Sequence, residues 1–544
     1  MTKSILVAVL SFTLFSSIST RADNIIRIMV DGQVYPAREG YLLVRHKTGI
    51  HRASIDSIHR MANAQVAKRF EFPEGLELVK VADSAQMMNS ISIYQQNNDI
   101  LYAEPDYMWN ALDVPNDRYF SRQWALQNLG QTGGSVGADI NVLPAWTFTT
   151  GNHNIVLGTI DTGVDYNHLD LVHNIWTNSL EIPNNGIDDD GNGFIDDVHG
   201  INAITGTGNP MDDHLHGTHV AGIMAAEQNN GMGVSGVAPN VSVVACKFLD
   251  ASGSGDTAGA ITCLNYFRAL SMRSRDPVHI VATNNSWGGG PFSQALQDAI
   301  KAHQDQGILF MAAAGNDAQN NDRSPSYPSN YYLPNLISVA ATDHNDKLAS
   351  FSNYGRASVS IAAPGVNILS TVPSNQLDYL SGTSMATPHV TALAGLLASY
   401  GPNLSWIQIK NLILAGGAPI AAASKTTATG RRILAYGANG FGSLSCLNKV
   451  VSARAQPVAS NITVRVRQAV PLAILNINCA NPSSNPQVIV QNGTASTSVI
   501  LNDNGKVYDQ FAGDGIFSGY WYSDTRGTFT LRYPGSDIVT VTVR

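Results

Sequence analysis

A serine hydroxyl becomes a nucleophile when an imidazole takes its proton and a carboxylate fixes the imidazole tautomer and steadies its charge. This chain holds all three residue types, each set among small residues. Asp161 stands in Ile160-Asp161-Thr162-Gly163, and His216 in His216-Gly217-Thr218-His219-Val220-Ala221-Gly222. Ser384 stands in Ser381-Gly382-Thr383-Ser384-Met385-Ala386-Thr387-Pro388-His389-Val390. The apolar, alanine-rich run 390–398 after Pro388 reads as a helix, so Ser384 sits on a loop feeding a helix N-terminus. Unpaired N–H groups and the positive end of a helix dipole can stabilise an oxyanion there. Small residues ahead of a helix are ordinary by themselves. What gives this turn meaning is the aspartate closing an apolar run and the histidine opening a helix upstream.

A second cluster suits different chemistry. Asp188-Asp189-Asp190-Gly191-Asn192-Gly193-Phe194-Ile195-Asp196-Asp197 matches the D-x-[DN]-x-[DN]-G opening of a calcium loop. Oxygen ligands would come from Asp188, Asp190, Asn192, the Phe194 carbonyl and Asp196. The twelfth position is His199 rather than glutamate, and flanking helices are not evident. A solvated acidic loop is the other reading, but five aspartates in ten residues repel one another without a cation. Asp503-Asn504-Gly505 and Asp509 to Asp514 read equally as Asp-Gly turns or as oxygen ligands, and no cation is assigned there.

The elements that must position these residues alternate. Apolar strand-like runs at 155–160, 241–246, 280–283, 308–314 and 336–341 are interleaved with helical stretches at 217–228, 257–271, 293–306 and 389–400. Such alternation predicts an α/β, doubly wound, mostly parallel sheet covered on both faces, with sites outside the carboxyl ends of its strands. Asp161 and His216 fall at such a strand end and helix start. Ahead of this region, residues 23–112 alternate strands (40–45, 76–81) and helices (55–66, 84–96) as a small α+β domain. Behind it, residues 455–544 hold short strands (462–467, 487–490, 498–501, 528–532, 538–543) between Asn, Gly, Asp and Pro turns, an all-β sandwich pattern.

Composition narrows the function. A net charge of −8 gives no electrostatic case for nucleic acid. Charged residues are 14% of 544, well below the ~25% of a typical soluble domain. The apolar run 5–18 behind Lys3 reads as a signal peptide over 1–22, too short to span a membrane comfortably, and no later run is long enough. A secreted, monomeric protein with no membrane span is expected. Export permits disulfides. Four cysteines allow three pairings. Proximity favours Cys246–Cys263 and Cys446–Cys479, with buried free thiols as the competing reading.

The three motifs around Asp161, His216 and Ser384, in that order, resemble those of the subtilisin-like serine proteases over roughly residues 117–440. The resemblance implies a subtilisin-like catalytic domain (113–445) in which Ser384 attacks, His216 shuttles the proton and Asp161 orients it. His219 and His389 are then packing residues. It implies that Asn316, in Ala312-Ala313-Ala314-Gly315-Asn316, donates to the oxyanion. Ser286, Trp287 and Gly288 would line one edge of a peptide substrate, Ser254 and Gly255 the other, and Asp317 and Ser326 the pocket beside the scissile bond. Asp117, Asp170 and Asn230 match positions of a structural calcium. Residues 23–112 resemble an inhibitory propeptide that ends in Tyr102-Ala103-Glu104-Pro105-Asp106-Tyr107 and is cut within 109–114. The partners implied are protein or peptide substrates and the chain's own propeptide. The alternative from another class is a catalytically silent surface or adhesion protein; the intact Asp161, His216, Ser384 and Asn316 argue against it.

Overall fold

The computed structural model describes residues 9–10, 25–30, 33–108, 114–437, 440–441 and 450–544. Apart from Val9 and Leu10, the expected signal segment lies outside them, as do residues 109–113 of the expected cleavage stretch and Cys446. The chain divides into two compact units, Met1–Ala111 and Leu112–Arg544.

In the first unit the strand Gln33–His46 pairs antiparallel with Ile25–Val30, Leu76–Lys80 and Ile100–Tyr107. Helices Arg52–Met61 and Ser84–Gln95 begin at His51 and Asp83, whose side chains accept the Ala53 and Gln86 amides. Leu42, Val44, Ile55, Ile58, Val79, Met87 and Ile91 form the core. The helix expected at 55–66 stops at Met61. Asn63 turns to φ 49, and Gln65–Arg69 continues as a strand beside Leu76–Lys80. Polar groups cluster inside this core. Glu77, 2% exposed, accepts from His59 Nε2 at 2.7 Å and from Arg69 Nε at 3.0 Å and is paired with Arg52, while His59 Nδ1 meets the Tyr94 hydroxyl at 2.8 Å. Burial acts to raise the Glu77 pKa, but the hydrogen bonds and charges of His59 and Arg52 outweigh it and hold the carboxyl at about 2.

A depressed carboxylate stabilises the fold fully above its ordinary pKa, and that contribution is lost as the pH falls through the folded value. Acidification from about 4.5 towards about 2 should therefore cost this unit on the order of 3 kcal/mol. Amide exchange in Arg52–Met61, corrected for intrinsic rates, should lose protection over that window. In Glu77→Gln the protection should be lower and nearly pH-independent. Equal pH slopes in the two proteins would refute the assignment.

The second unit is organised by a nine-stranded sheet. Its order is Ala418–Pro419, Arg431–Arg432, Ile361–Pro364, Leu336–Thr342, Leu309–Ala313, Ile280–Asn285, Val156–Asp161, Ser242–Lys247, Gly200–Asn202. Every pairing is parallel except the edge pair Ala418–Pro419 with Arg431–Arg432. Val156–Asp161 runs first yet lies between Ser242–Lys247 and Ile280–Asn285, so the sheet is wound outward from it in both directions. Both of its faces are buried, which explains its near-continuous apolar sequence. Helices His216–Ala225, Thr383–Tyr400 and Trp406–Gly416 share one core with Leu157, Val243, Leu309 and Met311. Helices Thr257–Met272 and Gln294–Gln304 share the other with Ile160, Val244, Ile280 and Phe310. Cys246 and Cys263 are bonded, tying strand Ser242–Lys247 to helix Thr257–Met272. No described cysteine is a free thiol. Among the described residues no helix is long and apolar enough to cross a membrane.

The C-terminal part pairs strands into two sheets. One holds Val450–Gln456, Val470–Asn478, Asn481–Pro482 and Ile516–Trp521; the other holds Asn461–Val464, Ile538–Val543, Gly527–Arg532, Gln487–Asn492 and Ala495–Ile500. Val470, Leu472, Ile474, Val488, Leu531 and Val541 fill the space between them. Its first strand begins at Val450, five residues ahead of the expected start at 455. Ile477 and Leu475 join the core around helix Trp406–Gly416, so the sandwich is continuous with the sheet domain.

Candidate active site

Asp161 is the last residue of the central strand and fully buried. His216 opens helix His216–Ala225, and its Nδ1 lies 2.7 Å from Asp161 Oδ1. The glycines of the two motifs make that approach possible. Gly163 has φ +104, and a Cβ there would lie 2.3 Å from the Pro210 carbonyl. A Cβ on Gly217 would lie 2.0 Å from the Gly163 carbonyl. A side chain at Gly217 would push the histidine helix off the aspartate turn, and one at Gly163 would push that turn off the 210–212 loop ahead of the helix.

One residue that sequence reasoning missed joins the motifs. Asp212, 5% exposed, accepts from Thr162 Oγ1 at 2.8 Å and from the Thr218 amide and hydroxyl at 3.0 and 2.6 Å. Thr162 Oγ1 in turn accepts the Gly217 amide at 2.9 Å. Asp212 lies in the loop ahead of the stretch that begins at His216, outside the motif itself, so the motif did not single it out. Burial acts to lower the pKa of His216. The charge and hydrogen bond of Asp161, with Asp212 behind them, outweigh burial and hold the imidazole above its ordinary value. The neighbouring histidines are packing groups. His219 is fully buried with Nε2 3.0 Å from the Ile368 carbonyl, and His389 Nδ1 lies 2.9 Å from the Met385 carbonyl. Burial drives both pKa values down to about 4.

Ser384 lies in the first turn of helix Thr383–Tyr400, which packs on the His216 helix. The helix starts six residues before the expected 389 and contains Pro388. Proline is tolerated because the carbonyl its missing N–H would have bonded, that of Ser384, accepts the Ser286 hydroxyl at 2.7 Å instead. The pair is reciprocal: the Ser384 hydroxyl donates to the Ser286 carbonyl at 3.1 Å. In this resting arrangement the Ser384 hydroxyl is bonded to Ser286 rather than to His216, a looseness common in ligand-free sites.

Asn316 follows Gly315, which has φ +113. Its Oδ1 accepts the Thr383 amide at 2.8 Å and the Thr383 hydroxyl at 3.0 Å, which turns Nδ2 the other way. A Cβ built on Gly382 would lie 3.5 Å from the Ser384 amide nitrogen and 3.6 Å from both Asn316 Nδ2 and Ser384 Cβ. Two N–H donors and the serine side chain therefore border one small space, kept open by a glycine. The Ser384 amide, in the first turn, has no carbonyl of its own helix to bond.

The two expected substrate edges flank Phe248. Ser286 is buried under Ser384, and Trp287 packs on Phe248 and Phe310 at ring distances of 4.9 and 6.4 Å. Gly288 is exposed, with its Cβ position 3.1 Å from the Tyr327 carbonyl. Ser254 and Gly255 are exposed on the other side, where a Cβ on Gly255 would lie 2.4 Å from the Phe248 carbonyl. The Asp317 amide bonds Asn353 at 2.9 Å, and the Ser326 hydroxyl lies 3.4 Å from the Cβ position of Gly315.

The acidic loop closes on a residue not read from sequence. Glu181, Asp188 and Asp190 bring carboxylate oxygens within 4.8 Å of one another. Glu181 also accepts the Asp189, Asp190 and Asp196 amides at 2.9, 3.0 and 3.1 Å. Asn192 Oδ1 accepts the Phe194 amide, while its Nδ2 donates to Asp197. Asp196, at φ 54, faces the Asn185 and Gly186 amides. In the second expected set, Asp117 accepts the Asn229 amide at 2.9 Å, and Asn230 Nδ2 donates to Asp170 at 2.7 Å. Both aspartates are buried, at 5% and 2% exposure. Both sets are oxygen-rich and free of nitrogen or sulfur ligands from His or Cys, which fits a hard divalent cation.

Comparison with known proteins agrees with this geometry. Residues 152–438 match the Subtilase family, peptidase S8, and residues 36–106 match the fervidolysin N-terminal prodomain. The chain is 38% identical over 309 residues to the thermophilic serine proteinase of Bacillus sp. (strain AK1), aligning 56% of this chain with 65% of that protein. It is 35% identical over 321 residues to subtilisin-like protease 1 of Plasmodium falciparum (isolate 3D7), 55% of this chain and 44% of that one. It is 36% identical over 296 residues to thermitase of Thermoactinomyces vulgaris, 54% of this chain and 89% of that one. The chain thus spans less than two thirds of the first two relatives. With a match over more than half its length, and 89% of thermitase covered, the chain belongs to the subtilase family and carries an N-terminal fervidolysin-type prodomain.

Proposed function

We propose that this chain is a secreted serine endopeptidase, made as a precursor, that hydrolyses peptide bonds through an acyl-enzyme on Ser384. The observation that carries the reading is the Asp161–His216 hydrogen bond of 2.7 Å on a helix packed against the one that carries Ser384, whose amide and Asn316 Nδ2 border one space. His216 takes the Ser384 proton as the hydroxyl attacks a substrate carbonyl, and returns it to the leaving amine. Asp161 keeps Nδ1 protonated and offsets the imidazolium charge. The oxyanion forms in the space beside Gly382, facing the Ser384 amide and Asn316. An extended peptide pairs with the Ser286–Trp287–Gly288 backbone on one side and Ser254–Gly255 on the other.

The prodomain-like unit is the first peptide this site meets, and it serves as an intramolecular inhibitor until it is cut within 109–114. Calcium is the cofactor this reading assigns. Asp188, Asp190, Asn192, Phe194 and Asp196 with Glu181 would hold one ion, and Asp117, Asp170 and Asn230 another. The ion supplies positive charge among aspartates that otherwise repel.

The test follows chain mass over time for residues 23–544, with and without Ser384→Ala, in calcium. Loss of the segment ahead of 109–114 in the unsubstituted chain alone is expected. Loss in both chains would show that another protease does the cutting and would remove autoprocessing from the reading.

A further inference from the structure

The sandwich carries none of the triad, yet its longest turn is built as a site. Between strands Ala495–Ile500 and Ile516–Trp521, Asp503, Asp509 and Asp514 each present a carboxylate oxygen, and these atoms lie within 4.8 Å of one another. Amides of the same turn occupy most of the remaining oxygens. Asp509 Oδ2 accepts the Asn504 and Gly505 amides at 2.5 Å. Asp503 accepts those of Gly513 at 2.5 Å and Gly515 at 2.9 Å, and Asp514 Oδ1 that of Ile516 at 2.8 Å. Two oxygens are left over. Asp509 Oδ1 and Asp514 Oδ2, on side chains 6% and 1% exposed, are buried with no hydrogen-bond partner. A buried carboxylate oxygen without a donor is costly unless a cation faces it.

Lys410 fills that role for Asp514 only in part and not for Asp509. Its ammonium stands 3.6 Å from Asp514 Oδ2, beyond hydrogen-bond distance, and donates to the Pro334 carbonyl at 2.9 Å. One ammonium against three carboxylates also leaves two negative charges, the charge of a single divalent ion. The atoms turned inward are all carboxylate oxygens, the ligands of a hard cation with flexible coordination.

We propose that Asp503, Asp509 and Asp514 bind one calcium-type divalent cation, and that this ion fixes the turn by which the sandwich grips the catalytic domain. The turn makes that grip directly: Gln510 Nε2 donates to the Tyr332 carbonyl at 2.9 Å, and Phe511 packs on Trp406 at 5.4 Å, one helical turn before Lys410. The site is separate from the calcium positions proposed in the catalytic domain and does not depend on proteolysis.

The experiment uses the full chain carrying Ser384→Ala, stripped with EDTA and titrated with calcium chloride. Bound calcium is counted per chain by elemental mass spectrometry, and amide exchange is followed in the peptide spanning 502–516. Asp509→Asn should bind one calcium fewer than the parent. Calcium should slow exchange of the 502–516 peptide at least tenfold in the parent and leave it unchanged in Asp509→Asn. The parent's response should persist in Asp188→Asn, which separates this ion from the one in the catalytic domain. An unaltered calcium count in folded Asp509→Asn overturns the proposal. Should that variant fail to fold, the parent decides: a 502–516 peptide exchanging equally fast in EDTA and in saturating calcium overturns it, because Lys410 is then sufficient.

Discussion

Ser384→Ala should lower kcat for peptide hydrolysis by about 10⁶-fold, the scale that loss of the nucleophile reaches in subtilisin, and should abolish labelling by a fluorophosphonate. Such a loss can be read as chemistry only if the variant still folds, and the local structure indicates that it does. The Ser384 hydroxyl makes one bond, to the Ser286 carbonyl, in a partly exposed position. Its removal should cost about 1 kcal/mol of stability. The reverse bond, from the Ser286 hydroxyl to the Ser384 carbonyl, needs only the backbone and survives. A thermal melt within a few degrees of the parent, together with no labelling, is the expected pair of results. Labelling that persists in the alanine variant would place the nucleophile elsewhere. An unsubstituted chain that neither labels nor hydrolyses would favour a silent scaffold carrying a working sandwich.

Asn316→Gly should lower kcat by about 10²–10³-fold with KM little changed, the size of the corresponding loss in subtilisin, because in the proposed mechanism its Nδ2 serves only the developing oxyanion. The side chain has a second duty that makes the experiment more informative. Its Oδ1 receives the Thr383 amide and hydroxyl at the start of the serine helix. Glycine therefore also leaves a helix-start amide without its acceptor, and a stability loss of about 1 kcal/mol is expected alongside. The two effects separate by substrate: destabilisation alone would not alter kcat well below the melting temperature. A kcat within twofold of the parent would remove Asn316 from the oxyanion site.

The parts of the site that were legible are those where chemistry compresses into short motifs. Asp161 ends an apolar run and His216 opens a helix, and close approach of the two turns demands Gly163 and Gly217, so the sequence around them is constrained. Asp212 and Glu181 were not legible. Each acts by accepting hydrogen bonds, Glu181 from amides 8 to 15 residues on and Asp212 from Thr218 and from Thr162, 50 residues earlier, and an acidic residue in a loop has no periodicity to betray it. The start of the serine helix was misplaced because Pro388 normally marks a boundary. Its cost is removed by Ser286, 98 residues earlier, which no local rule can see. In the sandwich, Val470–Asn478 was missed because it lies in the packed middle of its sheet and reads as a continuous apolar run rather than an alternating one. The helix end at Met61 turned on Asn63 entering the left-handed region, a choice that asparagine permits but does not compel.

The Cys246–Cys263 bond closes a loop of 17 residues between a core strand and the helix beside it, and that loop contains Ser254 and Gly255. A covalent closure of this length restricts the unfolded chain by about 3 kcal/mol. Besides that global effect, reduction would untie the segment carrying Ser254 and Gly255, so the redox poise of the medium should act on this expected rim more than on Asp161, His216 and Ser384, which all lie outside the closed segment. Material produced in a reducing cytosol should keep the Asp161–His216 hydrogen bond while holding one lip of the proposed groove less firmly. A thiol reductant would then weaken the grip on extended peptides before it touched the chemistry of a small ester.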